Sequence, residues 1–432
     1  MSAIAMILKE NGFSISGYDR TLGDVTDKLE NNSIRVYSEF DNSQLDGCDA
    51  IVYSAAFGKD HPIYKAVIET GIPLYSRAEI LGAIANLYKN SIAIAGTHGK
   101  STTSGMLGHV LLNATGCDPT VVVGAVMRDV GSTYRVGKDE NFVFEACEYK
   151  DSFLSFFPKI AVVLNVALDH TDYFSGIEHM RDSFIQFMNN SGSDGYAVYN
   201  YDCENCRICA DNYIGTGITF SANGDSRADY YADNVKMLSG YASFDVYKKG
   251  NFYISLKLSA PGEHNIANSL AAIACCDLIG IMKEDIVKGI VSFGGVGRRF
   301  EYKGSFCGAD VYDDYAHHPD EIKVTLSAAK GIARGKVVAV FQPHNYSRLR
   351  DLFEEFKTSF NDADSLILCP LYAAREACGN EVSSELLASN IKHAVYFETF
   401  DQIKEHLRNI LAPGDLLLIM GAGDIAKLAN SI

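Results

Sequence analysis

The string Ile92-Ala-Ile-Ala-Gly96-Thr97-His98-Gly99-Lys100-Ser101-Thr102 joins an apolar, strand-like run to a glycine turn and then to Lys-Ser at the start of a helix-like segment. A turn of that kind offers backbone N–H groups and the positive end of a helix to an anion. Lys100 can reach a β/γ phosphate and the Ser101 hydroxyl can sit on Mg²⁺. Ile94 stands where the usual phosphate loop carries its first glycine. The bare string therefore also reads as a chance turn, and it is the strand before it and the helix-like residues after it that favour phosphate binding by Gly96 through Thr102.

Two further strand-like runs end in chemistry-bearing residues. Phe142-Val-Phe-Glu145-Ala-Cys-Glu148 places a carboxylate at the end of a buried run, where it can hold Mg²⁺ directly or through water. An ordinary strand-end carboxylate facing solvent is the equal alternative. Ile160–Asn165 is followed by Asp169, His170 and Asp172, so that Asn, Asp, His and Asp arrive within eight residues, a spacing suited to a metal or phosphate site. Nearer the C-terminus, Tyr312-Asp313-Asp314-Tyr315-Ala316-His317-His318-Pro319 precedes a helix with Pro at its first position. Gln342-Pro-His344-Asn345-Tyr346-Ser347-Arg348 follows another buried run, and Arg348 can fork onto a carboxylate or phosphate. His264-Asn265-Ile-Ala-Asn268 opens an Ala-rich helix, where side-chain amides either cap the helix or meet a base edge. Cys203-x-x-Cys206-x-x-Cys209 resembles part of an iron–sulfur ligand run, but a fourth ligand and the following Pro are missing. Chance cysteines near a helix start are the simpler reading.

Short β-branched runs alternate with amphipathic stretches, the pattern of βαβ units and parallel sheets, so the fold class is α/β. Strands are expected at Ala50–Tyr53, Ile92–Ala95, Val121–Val123, Phe142–Glu145, Ile160–Asn165, Val337–Phe341, Ser365–Cys369 and Leu416–Met420. Three blocks are expected: 1–88, 89–298 and 299–432. The first carries Gly17–Asp19 after one short strand and Ser54–Ala55 after another. The second contains an antiparallel excursion over Asp225–Gly262, and a hinge at Gly294–Gly297 leads into the third. At 432 residues the chain is long enough for two to four cores without disulfide or metal staples. Acidic residues outnumber basic ones by 54 to 38, which argues against sequence-independent nucleic-acid binding. No apolar run approaches the roughly 20 residues of a spanning helix, so no membrane insertion is expected. Eleven scattered cysteines without a secretion signal read as reduced thiols in a cytoplasm.

Taken in order, Gly96–Thr102, Glu145–Tyr149, Asp169-His170, His264–Asn268, Gly297-Arg-Arg-Phe-Glu301, Asp313–Pro319, Gln342-Pro-His344 and Met420-Gly-Ala-Gly-Asp-Ile425 resemble the Mur ligases, the ATP-dependent amide-forming enzymes of peptidoglycan precursor synthesis. The resemblance runs over essentially the whole chain. It implies three domains: a Rossmann-like one for the UDP end of the substrate, a central P-loop-type one for ATP, and a Rossmann-like one that closes over the amino acid. It also implies an activity, in which ATP phosphorylates the lactyl carboxylate of UDP-N-acetylmuramate and the amine of L-alanine attacks the acyl phosphate. Ser101 and Glu145 would hold Mg²⁺ and His170 a second Mg²⁺. His264 and Asn268 would lie near the adenine, and Arg299 and Asp314 near the nucleotide. His317, His344 and Arg348 would face the muramoyl group and the amino acid, with Lys100 on the phosphates. Later ligases of the pathway carry a carbamylated lysine after Asp-His. No lysine occurs from His170 to Asn190, which suits the L-alanine step. The alternatives are a ligase that recycles whole peptides onto the same UDP-sugar and a nucleotide-binding protein without turnover. The family's first domain opens with a strand and Gly-rich loop ahead of the Met-Ser-x-Ile-Ala stretch at which this sequence begins, so the expectation is a misplaced start site, a truncated chain or a defective first domain, with UDP affinity in question in each case. Asn345 stands where many relatives have Arg.

Overall fold

In the computed structural model, residues 1–54, 57–58, 60–171, 173–374, 376 and 381–432 are described. Asp172 and Ala55, both singled out above, lie outside them. The chain divides into two compact units: residues 1–100, 115–124 and 132–218 form one, and residues 101–114, 125–131 and 219–432 form the other.

In the first unit, two small parallel pairs come first, Ser16–Tyr18 with Arg35–Tyr37 and Ile51–Tyr53 with Leu74–Ser76. Gly17 sits inside its strand rather than after it, because the pairing continues to Tyr18. The helix Arg77–Ala85 starts at a capping box, in which Ser76 Oγ accepts the Glu79 N–H and the Glu79 carboxylate accepts the Ser76 N–H. The strand Asn90–Ala95 then runs parallel between Asn141–Glu145 and Ile160–Val163. Tyr196–Asn200 pairs outside Ile160–Val163, and Thr120–Met127 pairs with Asn141–Glu145 through its residues 120–122. These runs are continuously apolar because both sheet faces are covered. Phe142, Phe144, Phe153, Phe184 and Phe187 are fully buried there, with the Phe142–Phe144 and Phe153–Phe187 rings stacked at 4.8 Å. Register carries the functional consequence. Ile94 pairs with Glu145 and Ala95 with Val163, so the Gly96 loop, Glu145 and the Asn165–His170 segment leave the sheet side by side at its carboxyl edge. Cys206 and Cys209 belong to the same core. The Cys206 thiol faces Val163 O at 3.9 Å and the Cys209 thiol faces Arg181 O at 3.6 Å, on a helix that begins just after Cys203.

The second unit contains the expected antiparallel excursion as a meander of Tyr230–Leu238, Tyr241–Lys248 and Asn251–Lys257. Asp277, on the helix His264–Leu278, accepts hydrogen bonds from the Tyr230 hydroxyl, the Tyr253 hydroxyl (2.7 Å) and the Lys248 ammonium. One carboxylate thus fastens all three strands of the meander to the helix. Asp277→Ala should cost about 2–4 kcal/mol by stranding these donors. A urea midpoint unchanged from wild type would contradict that assignment. The stretch that reads as a hinge is pinned: Val296 is buried and bridges Met127, and the Gly297 N–H donates to Val126 O at 2.8 Å.

The same unit holds a six-stranded sheet in the order Glu301–Phe306, Ala309–Asp314, Leu416–Met420, Val337–Phe341, Ser365–Leu368, Ala394–Tyr396. Only the first pair is antiparallel. Apolar side chains cover both faces, one under Leu326, Phe356 and Leu387 and the other under Ile403, Leu407 and Leu428. Chain order reverses around Leu416–Met420, where crevices form outside the strand ends. Asp313–His318, Gln342–Arg348 and Gly421–Gly423 all leave the sheet at that edge.

Candidate active site

The turn at Gly96–Gly99 is braced from one side. Gly96 and Gly99 have φ of +140° and +86°, conformations that suit glycine. A Cβ on Gly96 would also come within 3.0 Å of Leu164 Cβ. Asn165 clamps the turn, its Oδ1 accepting the His98 N–H at 2.8 Å and its Nδ2 donating to His98 O at 3.0 Å. Thr97 Oγ1 donates to Ala167 O and accepts the Ala167 N–H. Asn165, grouped above with the metal candidates, is therefore a scaffold for the loop.

Lys100 opens the helix Lys100–Asn113 and folds back over the turn. Its ammonium donates to Gly96 O, to Thr97 O at 3.1 Å and to Glu148 Oε1 at 3.0 Å. Burial works against the charge of Lys100. The field of Glu148, aided by Cys147 and Glu145, outweighs it and raises the pKa above the ordinary lysine value. Glu148, whose side chain is 1% exposed, is the residue that reading the string alone passed over. Its position three residues beyond Glu145 at a strand end was the available signal. His170 Nε2 lies 3.8 Å from Glu148 Oε1 and 3.9 Å from Asp169 Oδ2, with the backbone at φ +53° and the ring 4.7 Å from that of Tyr149.

Glu145 is seated over Gly124, whose N–H it accepts, and a Cβ at Gly124 would lie 2.9 Å from Glu145 Oε2. That glycine makes room for the carboxylate. The Glu145, Glu148 and Asp169 carboxylates are hard oxygen donors of the kind Mg²⁺ takes, so the donor types present in this unit fit the cation.

In the second unit, Thr103 Oγ1 donates to Asn268 Oδ1 at 3.1 Å, and Asn268 Nδ2 donates to Asn265 Oδ1 at 2.9 Å. Asn265 in turn donates to Pro261 O, so these amides brace one another instead of capping the helix. His264 packs over Gly262, where a Cβ would meet its ring at 2.4 Å. Desolvation by the surrounding protein, with the Arg299 charge nearby, pushes the His264 pKa down to about 4, although the residue keeps contact with solvent.

Arg299 links His264 to the third group of residues. Its guanidinium lies 3.8 Å from Glu321 and 5.3 Å from the Tyr315 ring centroid. Asp314, at the end of the strand Ala309–Asp314, accepts the Phe300 and Ala316 N–H groups at 2.7 Å each, and Arg298 and Phe300 sit at φ of +56° and +51°. Burial raises its pKa to about 6 despite Arg299 and those two donors. His317 Nδ1 lies 2.9 Å from Tyr315 O and 3.3 Å from Glu321. Both partners are acceptors, so Nδ1 carries the proton and the Nε2 lone pair is left for a ligand. The His317 and His344 ring centroids are 5.9 Å apart, and His344 Nδ1 accepts from Arg348 Nη1 at 3.4 Å. Burial first, then the fields of His317 and Arg348, push the His344 pKa down to about 4. The structure thus brings His264, Arg299, Asp314, His317, His344 and Arg348 together in one unit.

Asn345 caps the short helix Tyr346–Asp351, accepting the Arg348 N–H at 3.1 Å from φ +61°. Gln342 is consumed by Asp424 and the Ile425 N–H. Two acidic residues were not foreseen. Glu321 completes a capping box at His318, a signal legible three residues after the cap. Glu376 accepts the Tyr346 and Ser347 N–H groups and the Ser347 hydroxyl, and nothing local in its sequence announces it.

His264 and Asp314 give stability opposing dependences on pH. Above pH 6.5 the imidazole of His264 is neutral in both folded and unfolded chains. Between 6.5 and about 4 the unfolded chain takes up a proton that the folded one refuses. His264 is exposed to solvent, so screening cuts its slope well below the limiting value of about 1.4 kcal/mol per pH unit, and His344 acts in the same direction, likewise weakened by solvent. Asp314 opposes them, because its folded pKa of about 6 exceeds the ordinary 3.8, so its contribution is lost as pH rises between those values. His264→Gln should flatten the curve of unfolding midpoint against pH; superimposable curves would refute the assignment.

Three domain families match the sequence: the Mur ligase family catalytic domain over residues 1–89, the Mur ligase middle domain over 94–276, and the Mur ligase glutamate ligase domain over 298–423. The chain belongs to the Mur ligase family, ATP-dependent enzymes that form amide bonds. It is 42% identical over 435 residues to the UDP-N-acetylmuramate–L-alanine ligase of Clostridium tetani, covering 100% of this chain and 94% of the relative. Among solved structures it is similar to the UDP-N-acetylmuramate–alanine ligase MurC of Thermotoga maritima, with a TM-score of 0.82 and 25% identity over 100% of this chain and 95% of that one. A murein peptide ligase of Psychrobacter arcticus shares the fold, with a TM-score of 0.74 at 21% identity over 100% and 97% of the two chains. Among the described residues no helix is long and apolar enough to cross a membrane.

Proposed function

We propose that the chain joins L-alanine to the lactyl carboxylate of UDP-N-acetylmuramate with ATP, through an acyl phosphate, in peptidoglycan precursor synthesis. The supporting observation is full-length similarity at 42% identity to a ligase of that name. The residues here are suited to the chemistry. On this reading 1–88 is the UDP-substrate domain, 89–298 the ATP domain and 299–432 the amino-acid domain. A carboxylate attacking a triphosphate brings two anions together, so cations must line their meeting point. Lys100, now donating to loop carbonyls, turns those donors to the β/γ phosphates as Gly96–Thr102 wrap them. Ser101 and Glu145 would hold one Mg²⁺ and His170, beside Glu148 and Asp169, a second. Bound Mg²⁺ supplies charge neutralisation on the phosphates. His264 and Asn268 lie against the adenine, and Arg299 and Asp314 against the nucleotide.

Before L-alanine can attack, its ammonium must lose a proton. His317 is pushed below the ordinary histidine pKa by burial and has its Nε2 lone pair free of Tyr315 and Glu321, so it takes that proton. His344 donates from Nε2–H to a substrate oxygen, and Arg348 forks onto a carboxylate. The test is phosphate release from ATP and Mg²⁺ with UDP-N-acetylmuramate, comparing L-alanine, glycine, L-serine and a tripeptide. Release dependent on both the sugar and L-alanine is expected. Dependence on the tripeptide would replace the reading with a recycling ligase. Nucleotide binding without release would leave a binding protein.

A further inference from the structure

Away from the residues assigned to ligation, three side chains of the second unit form a hydrogen-bonded relay that ligation does not use. His109 lies on the third turn of the helix Lys100–Asn113, Asp129 in the turn after Thr120–Met127, and Ser292 at the end of the helix Lys283–Ser292. The Asp129 carboxylate contacts His109 Nδ1, and His109 Nε2 lies 2.8 Å from Ser292 Oγ. The tautomer follows from the partners. A carboxylate can only accept, so Nδ1 carries the proton and Nε2 presents its lone pair to the serine hydroxyl. The other acceptor near that hydroxyl, Gly289 O, is farther away at 3.2 Å. The imidazole is well shielded at 12% side-chain exposure, whereas Ser292 is exposed. These residues line a cavity of about 180 Å³ together with Arg128, Gly294 and Gly295. That is room for about six waters, or for a short acyl chain. Arg128 Nη1 lies 3.5 Å from where a Cβ on Gly294 would stand, which puts a cation at the cavity two residues from the nucleophile.

We propose that Asp129, His109 and Ser292 form a second catalytic site that hydrolyses small carboxylic esters entering this cavity. Nucleophile, base and orienting carboxylate are joined in the required order, with the Arg128 cation on the lining of the same cavity. Ser292 Oγ attacks the acyl carbonyl as its proton passes to His109 Nε2. The C–O bond to the leaving alcohol breaks, and that alcohol departs with the proton from Nε2. Water then attacks the acyl-serine, giving up its proton to Nε2, and the C–Oγ bond breaks to return the serine and release the acid. The sum is ester plus water giving acid plus alcohol, with no further reactant.

The full chain would be treated with diisopropyl fluorophosphate and mapped by mass spectrometry, in parallel with p-nitrophenyl acetate hydrolysis. One adduct per chain, on Ser292, is expected. Hydrolysis should be lost in Ser292→Ala and fall at least about 100-fold in His109→Gln. Asp129→Asn should slow turnover while leaving Ser292 in place. The unfolding midpoint of each variant is the control for folding, and the wild-type adduct needs no variant. No adduct, an adduct on another residue, or a Ser292→Ala protein that hydrolyses the ester as fast as wild type would overturn the proposal.

Discussion

Lys100→Met should lower ATP-dependent turnover about 10³-fold, the scale of removing a preorganised charge from developing negative charge. The same substitution should also destabilise the fold, and the two effects are separable. The Lys100 ammonium is paired with Glu148, whose side chain is 1% exposed. Removing the cation leaves a buried, uncompensated carboxylate, at a cost of about 3–5 kcal/mol. Adding Glu148→Gln to Lys100→Met deletes the stranded charge and should restore much of the stability while leaving turnover lost. Chemical denaturation of the two variants beside the phosphate-release assay tests both parts. A Lys100→Met protein of wild-type stability would mean the pair with Glu148 is not formed in solution. Wild-type turnover would remove Lys100 from the phosphate chemistry.

The second large effect is expected at Asp314, and it acts through geometry. The Asp314 carboxylate satisfies the Phe300 and Ala316 N–H groups, each at 2.7 Å. Arg298 and Phe300, on either side of Arg299, sit at positive φ, a conformation that persists only where the surroundings impose it. Asp314→Ala strands two backbone donors, for about 2–4 kcal/mol together. It also frees Arg299 from the place it holds beside His264 and Glu321. Displacement of about 1 Å in a positioning group lowers rates about 10²-fold, so kcat/KM for ligation should fall by about that much. Asp314→Asn keeps an oxygen for one of the two donors and should recover part of the stability. Equal stability of Asp314→Ala and wild type would contradict the role assigned to those hydrogen bonds.

The elements and their type were legible without coordinates, because buried parallel strands must be apolar on both faces. Asn90–Ala95, Asn141–Glu145, Val337–Phe341 and Leu416–Met420 stand out as short β-branched or aromatic runs. The alternating aromatic residues of 225–262 announce an antiparallel meander for a different reason, because one face is buried and the other meets solvent. The phosphate-loop string was equally plain, since glycine at 96 and 99 and Lys-Ser at 100–101 are demanded by the turn and the anion rather than by distant neighbours. What the string could not reveal is which polar residue meets which. Asn165 looked like a metal candidate and is the clamp on His98; Gln342 looked available and is bound to Asp424 and Ile425. Glu148 and Glu376 gave no comparable notice, because each is defined by a partner 48 or 29–30 residues away. The residue types that can do chemistry are thus a local property, set by turns, strand ends and caps. The charge state of Lys100 and the neutral forms of His264 and His344 were decided only by tertiary structure, whereas the tautomer of His317 is set by acceptors two and four residues away along the chain. Burial and the nearest charge shift a proton's free energy by amounts that no spacing along the chain encodes.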